Sequence, residues 1–316
     1  TASQSGNGSY SAATPVVQGL TINKKALTFT ATAANKTYDG ADTATLTLSA
    51  LTGIINSDAV SIDATQVSGK FNTPDVGSAK PVAVTLGAAT LTGAKAGNYS
   101  VALANSPTAN ITTKAITMNV SVANKTYDGT VVASITSTSL NGVETGDNVT
   151  IDGTKVSGVF ADPDKANSKA VTVTLATGVL TGSDASNYTV TVAGSPSANI
   201  TARPVTIAAD NKTKGSGAAD PPLTYSITAG SLVSRLGVAD AISGSLVRAT
   251  GTAAGDYAIT IGSLAIVDGS ATPAPSANYQ LTFTPGTLTI SDKTVPVICW
   301  GPLTAITYGT SLSGTE

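Results

Sequence analysis

The chain has 316 residues, of which only 11% are charged and 4% aromatic, with a net charge of −2 and no histidine. No basic cluster exceeds the pair Lys24 and Lys25, so the electrostatic footprint of a nucleic-acid or anionic-membrane binder is missing. With no imidazole and a single cysteine, Cys299, there is no triad base and no ordinary zinc ligand set, which argues against a hydrolase or metalloenzyme.

The length suits roughly two to four domains. Thr and Val fill the periodic segments; these β-branched residues pack well on a pleated surface and lose rotamer freedom in a helix, so an all-β fold is expected. No run approaches the roughly 18 apolar residues needed to span a bilayer, so no membrane insertion is expected. Thr1 to Ser9 also lack a charged start followed by an apolar stretch, and the chain is expected to begin after processing or truncation.

Internal repetition organises the rest. Tyr10 lies 89 residues before Tyr99, and Ile22 lies 89 before Ile111, so residues 1–23 read as the tail of a preceding repeat. The string Asn35-Lys36-Thr37-Tyr38-Asp39-Gly40 returns as Asn124-Lys125-Thr126-Tyr127-Asp128-Gly129, 89 residues on. Asn98-Tyr99 returns at the same offset as Asn187-Tyr188, and Asn110-Ile111-Thr112 as Asn199-Ile200-Thr201. Two repeats are therefore predicted at 24–112 and 113–201. A diverged third, 202–291, opens with Arg203-Pro204-Val205-Thr206-Ile207 and echoes the signature at Asn211-Lys212-Thr213; residues 292–316 read as a linker and the start of a further unit.

Within a repeat, the opening strand alternates apolar and polar residues: Leu27, Phe29, Ala31 and Ala33 in the first copy, Ile116, Met118, Val120 and Val122 in the second, Val205, Ile207 and Ala209 in the third. A short strand is expected around Val149 and Ile151 and a middle one through Val171, Val173 and Leu175. Tyr188, Val190 and Val192 are expected to start a hairpin that turns at Gly194-Ser195-Pro196 and closes at Ile200. About six short strands per unit follow. With few large side chains, each unit sits near the lower limit of autonomous stability, where contacts with neighbouring repeats help.

Tyr38-Asp39-Gly40 reads as an aromatic plugging the core edge with Asp-Gly turning the chain, in preference to a ligand contact. The acids Asp147, Asp152, Asp162 and Asp164 could offer oxygen ligands to calcium at domain junctions, although their spacing matches no calcium loop. The sequons at Asn35, Asn98, Asn110, Asn187 and Asn199 are what a Thr-rich chain generates by chance. Lys25 and Lys114 near the unit starts, and Asn110 and Asn199 in the last strands, suggest a Lys–Asn isopeptide crosslink. No residue stands out as catalytic, cofactor-binding or metal-binding.

The repeated Lys-Thr-Tyr-Asp-Gly at 36–40 and 125–129, with the later Asn-Tyr pairs and Asn-Ile-Thr closings, resembles the YDG repeats of large, filamentous-haemagglutinin-like bacterial surface adhesins. Residues 203–291, with Ala219-Asp220-Pro221-Pro222-Leu223-Thr224-Tyr225 and Gly255-Asp256-Tyr257, resemble the MBG repeat that accompanies them, except that Lys214 stands where an aromatic is usual. The resemblance implies small β-sandwich (Ig-like) or β-grasp-like domains strung end to end. It also implies a non-enzymatic extracellular stalk or adhesion segment at a bacterial cell surface, facing a host, matrix or cell-surface receptor that it does not specify. The alternative is a filament subunit whose partial terminal units complete one another between chains, giving self-association into fibres.

Overall fold

The computed structural model describes residues 1–269, 275–292, 297 and 308. The further repeat expected from Val297 onward, with Cys299 and Trp300, lies outside the described residues apart from Val297 and Tyr308. Among the described residues the regular structure is β-strand plus four three-residue 3-10 turns, with no α-helix. The chain is all-β, built from tandem small sheets.

In the first repeat the opening strand Lys25–Phe29 runs parallel to Tyr99–Leu103. Ala31–Ala33 then pairs antiparallel with Leu46–Leu48. A five-stranded sheet follows in the order Lys36–Thr37, Thr108–Thr112, Gly77–Leu86, Val67–Phe71, Thr43–Ala44. Only its first pair is parallel. The second repeat reproduces these pairings 89 residues on: Lys114 faces Tyr188 where Lys25 faces Tyr99, and Lys125 faces Ile200 where Lys36 faces Ile111.

The third repeat keeps the same two parallel pairings despite its diverged sequence. Arg203–Ala209 runs beside Tyr279–Thr284, and Lys212–Gly215 beside Gly286–Ser291. Tyr225–Ala229 lies antiparallel to the opening strand on its other side, the place that Ile135–Asn141 takes in the second repeat.

The alternation read in the opening strands is reproduced. Leu27, Phe29, Ala31, Ile116, Met118, Val205, Ile207 and Ala209 are buried, while the intervening threonines are exposed or half-buried. Two expectations need correction. The first repeat breaks into eleven strand segments instead of about six: single non-strand residues at Thr30 and Thr45 split two longer runs, and two-residue pairings such as Lys36–Thr37, Ser61–Ile62 and Leu91–Thr92 are too short to register as alternation. Nor do Tyr188–Val192 and Ser197–Thr201 form a hairpin: the former pairs with Lys114–Met118 and the latter with Ala166–Leu175 and Lys125–Thr126. The Gly-Ser-Pro link carries the chain between sheets, a step that period-2 alternation cannot distinguish from a turn back onto the same sheet.

The chain divides into two compact units. One comprises Thr1–Ser121, Ile135–Ser157 and Val173–Pro196; the other comprises Val122–Ser134, Gly158–Thr172 and Ser197–Glu316. Neither coincides with a sequence repeat. In the first unit the reason is visible in the core, where Tyr38, Phe71, Val82, Ala109 and Ile111 of one repeat pack with Ile116 and Tyr188 of the next. A repeat this poor in large side chains gains burial by sharing a core with its neighbour.

Candidate functional site: paired tyrosines on a shared aspartate

Each residue of the repeated hexapeptide except the threonine has a defined task. The Asn35 side-chain oxygen accepts the Asn110 N–H at 2.7 Å, and Asn124 does the same for Asn199 at 2.7 Å, tying the motif to the last strand. Lys36 Nζ donates to the carbonyls of Ala41 and Thr43, pairs with Asp39 at 2.7 Å and lies 5.9 Å from the Phe71 ring centre. Lys125 repeats this with Asp128, Thr130, Val132 and the Phe160 ring. Asp39 and Asp128 accept the N–H two residues on, forming Asx-turns. Gly40 and Gly129 sit at φ +74° and +75°, a left-handed conformation that glycine adopts without penalty.

The tyrosine reaches out of its own repeat. In the first compact unit, Tyr38 Oη donates to Asp147 Oδ2 at 2.8 Å, and Tyr188 Oη donates to the same oxygen at 2.5 Å. The two rings meet edge to face, 5.4 Å apart at 76°. Tyr188 Oη in turn accepts the Glu144 N–H at 2.9 Å. Beside this clasp, buried Asn187 accepts the Val76 N–H at 2.9 Å and donates to Asp75 at 3.3 Å.

The second compact unit contains the same arrangement built from the second and third repeats. Tyr127 and Tyr279 both donate to Asp240 Oδ2, at 3.2 and 2.6 Å, with rings 5.4 Å apart at 75°. The Val233 N–H donates to Tyr279 Oη, and the Gly269 N–H to Asp240 Oδ1. Buried Asn278 accepts the Lys165 N–H at 2.7 Å and donates to Asp164 at 3.0 Å. Asp164 also takes a two-pronged ion pair from Arg235, which holds its carboxyl below the usual range.

Burial and the shared carboxylate raise every clasp phenol above its ordinary value, Tyr188 to about 12. Deprotonating a phenol there would place a second negative charge within hydrogen-bond distance of the aspartate. The arrangement is a neutral-donor lock.

Tyr38 is buried as the plug reading expects, and the core whose edge it closes is one shared with the next repeat. Asp147, one of the four acids weighed as oxygen ligands for calcium, is the clasp acceptor. Asp152 caps the turn Gly153–Lys155 through the Thr154 N–H, Asp162 pairs with Lys169, and Asp164 binds Arg235 and Asn278. Among the described residues no three His, Cys, Asp or Glu side chains gather to hold a metal. The isopeptide expectation meets different partners. Asn110 and Asn199 accept the N–H groups of Ala79 and Ser168, both at positive φ, and Lys114 pairs with Glu144. Sequence reading leaves Asp58 and Asp240 unnamed, and takes the Asn-Tyr pairs containing Asn187 and Asn278 as repeat landmarks with no role assigned to the asparagine. The usable signal was that Asp58 and Asp147 share the 89-residue offset and that an Asn-Tyr pair occurs in every repeat.

The fold and the clasps together define a tandem array of small β repeats in which one repeat completes the core of the next. Residues 23–109 and 112–198, more than half of the chain, match the family model of the YDG domain, and the chain belongs to that family. Residues 205–289 match the MBG domain (YGX type). No curated protein matches the chain.

Proposed function

We propose that this chain is a non-enzymatic, tension-bearing segment of an extracellular bacterial surface protein, of the stalk or adhesion kind. The observation that carries the reading is the parallel pairing near both chain ends of each repeat. Lys25 faces Tyr99 and Phe29 faces Leu103, so a pull on the two ends acts at opposite ends of this pair. The load slides the strands along one another and strains their hydrogen bonds together. Lys36–Thr37 beside Ile111–Thr112 is loaded the same way, and the pattern recurs in the second and third repeats. The acidic residues described above are engaged in turns, caps and clasps, which supports mechanical work over acid–base chemistry.

Force–extension measurement on the full chain tests this. Discrete unfolding peaks are expected, releasing roughly 300 Å of chain where one 89-residue repeat opens and about twice that where two repeats sharing a core open together. Smooth extension without peaks would sink the reading. Placement at the cell surface is tested by labelling intact cells with an antibody to the chain.

The filament alternative draws support from Leu20 and Ile22, both 87% exposed although they lie where a repeat's closing strand is expected. If a chain trimmed of residues 1–23 still polymerised, strand complementation through that segment would be rejected.

A further inference from the structure

The clasp has an acceptor half and a donor half, and the first repeat carries an acceptor half. Tyr99 Oη donates to Asp58 Oδ2 at 2.7 Å and accepts the Ile55 N–H at 3.3 Å. These are the positions of Tyr188, Asp147 and Glu144 shifted by 89 residues. Asn98 stands where Asn187 stands in the second repeat and Asn278 in the third. Those two asparagines are buried under the preceding repeat's backbone and Asp75 or Asp164, whereas Asn98 is exposed. Ile55 is likewise exposed, at 43%. Asp58, Asn98, Ile55 and Lys25, with Tyr99 (itself only 4% exposed) and the segment 22–24, line a groove of about 520 Å³.

We propose that this groove is a docking seat for the Tyr-Asp-Gly turn of a further YDG-type unit placed ahead of Lys24. Its tyrosine would donate to Asp58 and set its ring against Tyr99, and a backbone N–H of the same unit would reach Asn98. The argument is continuity with two occupied seats of the same design: both hold a tyrosine from the preceding repeat and present an asparagine to that repeat's backbone. A second copy of this chain would have to use Tyr308, fully exposed and followed by Gly309 without the aspartate of the Tyr-Asp-Gly turn, because its Tyr38 and Tyr127 are already buried in clasps. The third repeat offers Lys214 at the corresponding place, held by Asp220 at 2.5 Å and by the Ala218 carbonyl. The inference stands apart from the tension-bearing reading, since a seat can be filled in an array that carries no load.

The test is the full chain with an extra copy of residues 113–201 inserted directly before Lys24, compared with the parent by amide hydrogen exchange. The acceptor peptides covering 53–60 and 96–100 differ in sequence from the inserted copy, so they report on the seat alone. Exchange there should slow by about tenfold or more, toward the protection of the matching segments around 144–147 and 186–188. The slowing should be largely lost when the inserted copy carries Tyr127→Ala, and weakened by Asp58→Asn in the acceptor, a change that preserves shape if the first variant folds poorly. Equal exchange in the parent, the extended chain and its Tyr127→Ala form would overturn the proposal. So would protection of 53–60 in the parent that grows with protein concentration, which would give the seat to a second copy.

Discussion

A single carboxylate oxygen accepting two phenols concentrates the stability of a junction in one side chain. Asp240 is 6% exposed and takes both tyrosine hydroxyls and the Gly269 N–H. Asp240→Ala should therefore strand three donors and cost on the order of 3 kcal/mol in denaturant unfolding, against about 1 kcal/mol for Tyr38→Phe, which deletes one hydrogen bond and keeps the ring. A cost for Asp240→Ala no larger than that of Tyr38→Phe would contradict the shared-acceptor account. The pH dependence follows from the same geometry. Folded-state phenol values lie above the unfolded one of about 10, so the unfolded chain releases these protons first as pH rises. The clasp contribution is whole below about pH 10 and is lost as pH climbs toward about 12 and beyond. Thermal unfolding midpoints should fall across that range, less steeply in a Tyr38→Phe, Tyr127→Phe double variant. At the acid end, Asp220 is held at about 2, first by Arg248 and then by Lys214. Its contribution is present above the usual aspartate range and lost as pH falls toward about 2.

At the scale of the element, the two Tyr-Asp-Gly turns are superficially interchangeable yet differ in surroundings. A Cβ at Gly40 would come no closer than 3.9 Å to Glu144, whereas one at Gly129 would meet the Ser234 carbonyl oxygen at 2.0 Å. Gly129 also accepts the Leu236 N–H at 2.9 Å. Gly40→Ala should thus cost only the left-handed backbone penalty of about 1–2 kcal/mol. Gly129→Ala must in addition displace a backbone segment, and should lower the unfolding midpoint by clearly more. Equal effects would mean that the turn of the second repeat does not touch residues 234–236 in solution. The strands obey a simpler rule: truncating fully buried Leu27 to Ala should cost about 2–5 kcal/mol through lost transfer energy and the cavity left behind.

For the molecule as a whole, a core that runs from one repeat into the next makes neighbouring repeats unfold as coupled bodies. Removing the Tyr38 ring should therefore raise hydrogen exchange at 144–147 and around Tyr188, residues more than one hundred positions away in sequence. Unchanged exchange there would uncouple the repeats. The asparagines of the last strands hold backbone turns and Lys114 is engaged with Glu144, so intact mass should equal the sequence mass, without the ammonia losses that isopeptide bonds would leave.

Sequence by itself determined the repeat, its 89-residue period, the all-β class and the buried faces of the opening strands. Each of these is written in local periodicity or in copied strings. It also supplied the turn chemistry of Asp39-Gly40 and Asp128-Gly129, because Asx-turns and positive φ are local properties. Only the tertiary structure decided where Tyr38 and Tyr127 go, which aspartate receives them, and that Asn187 and Asn278 are buried. Those partners lie 109 to 114 residues apart along the chain, and no short-range pattern distinguishes a tyrosine that closes its own sheet from one that closes its neighbour's. The same limit hid the crossing between sheets after Val192: alternation reports which face of a strand is buried and is silent on which strand lies beside it.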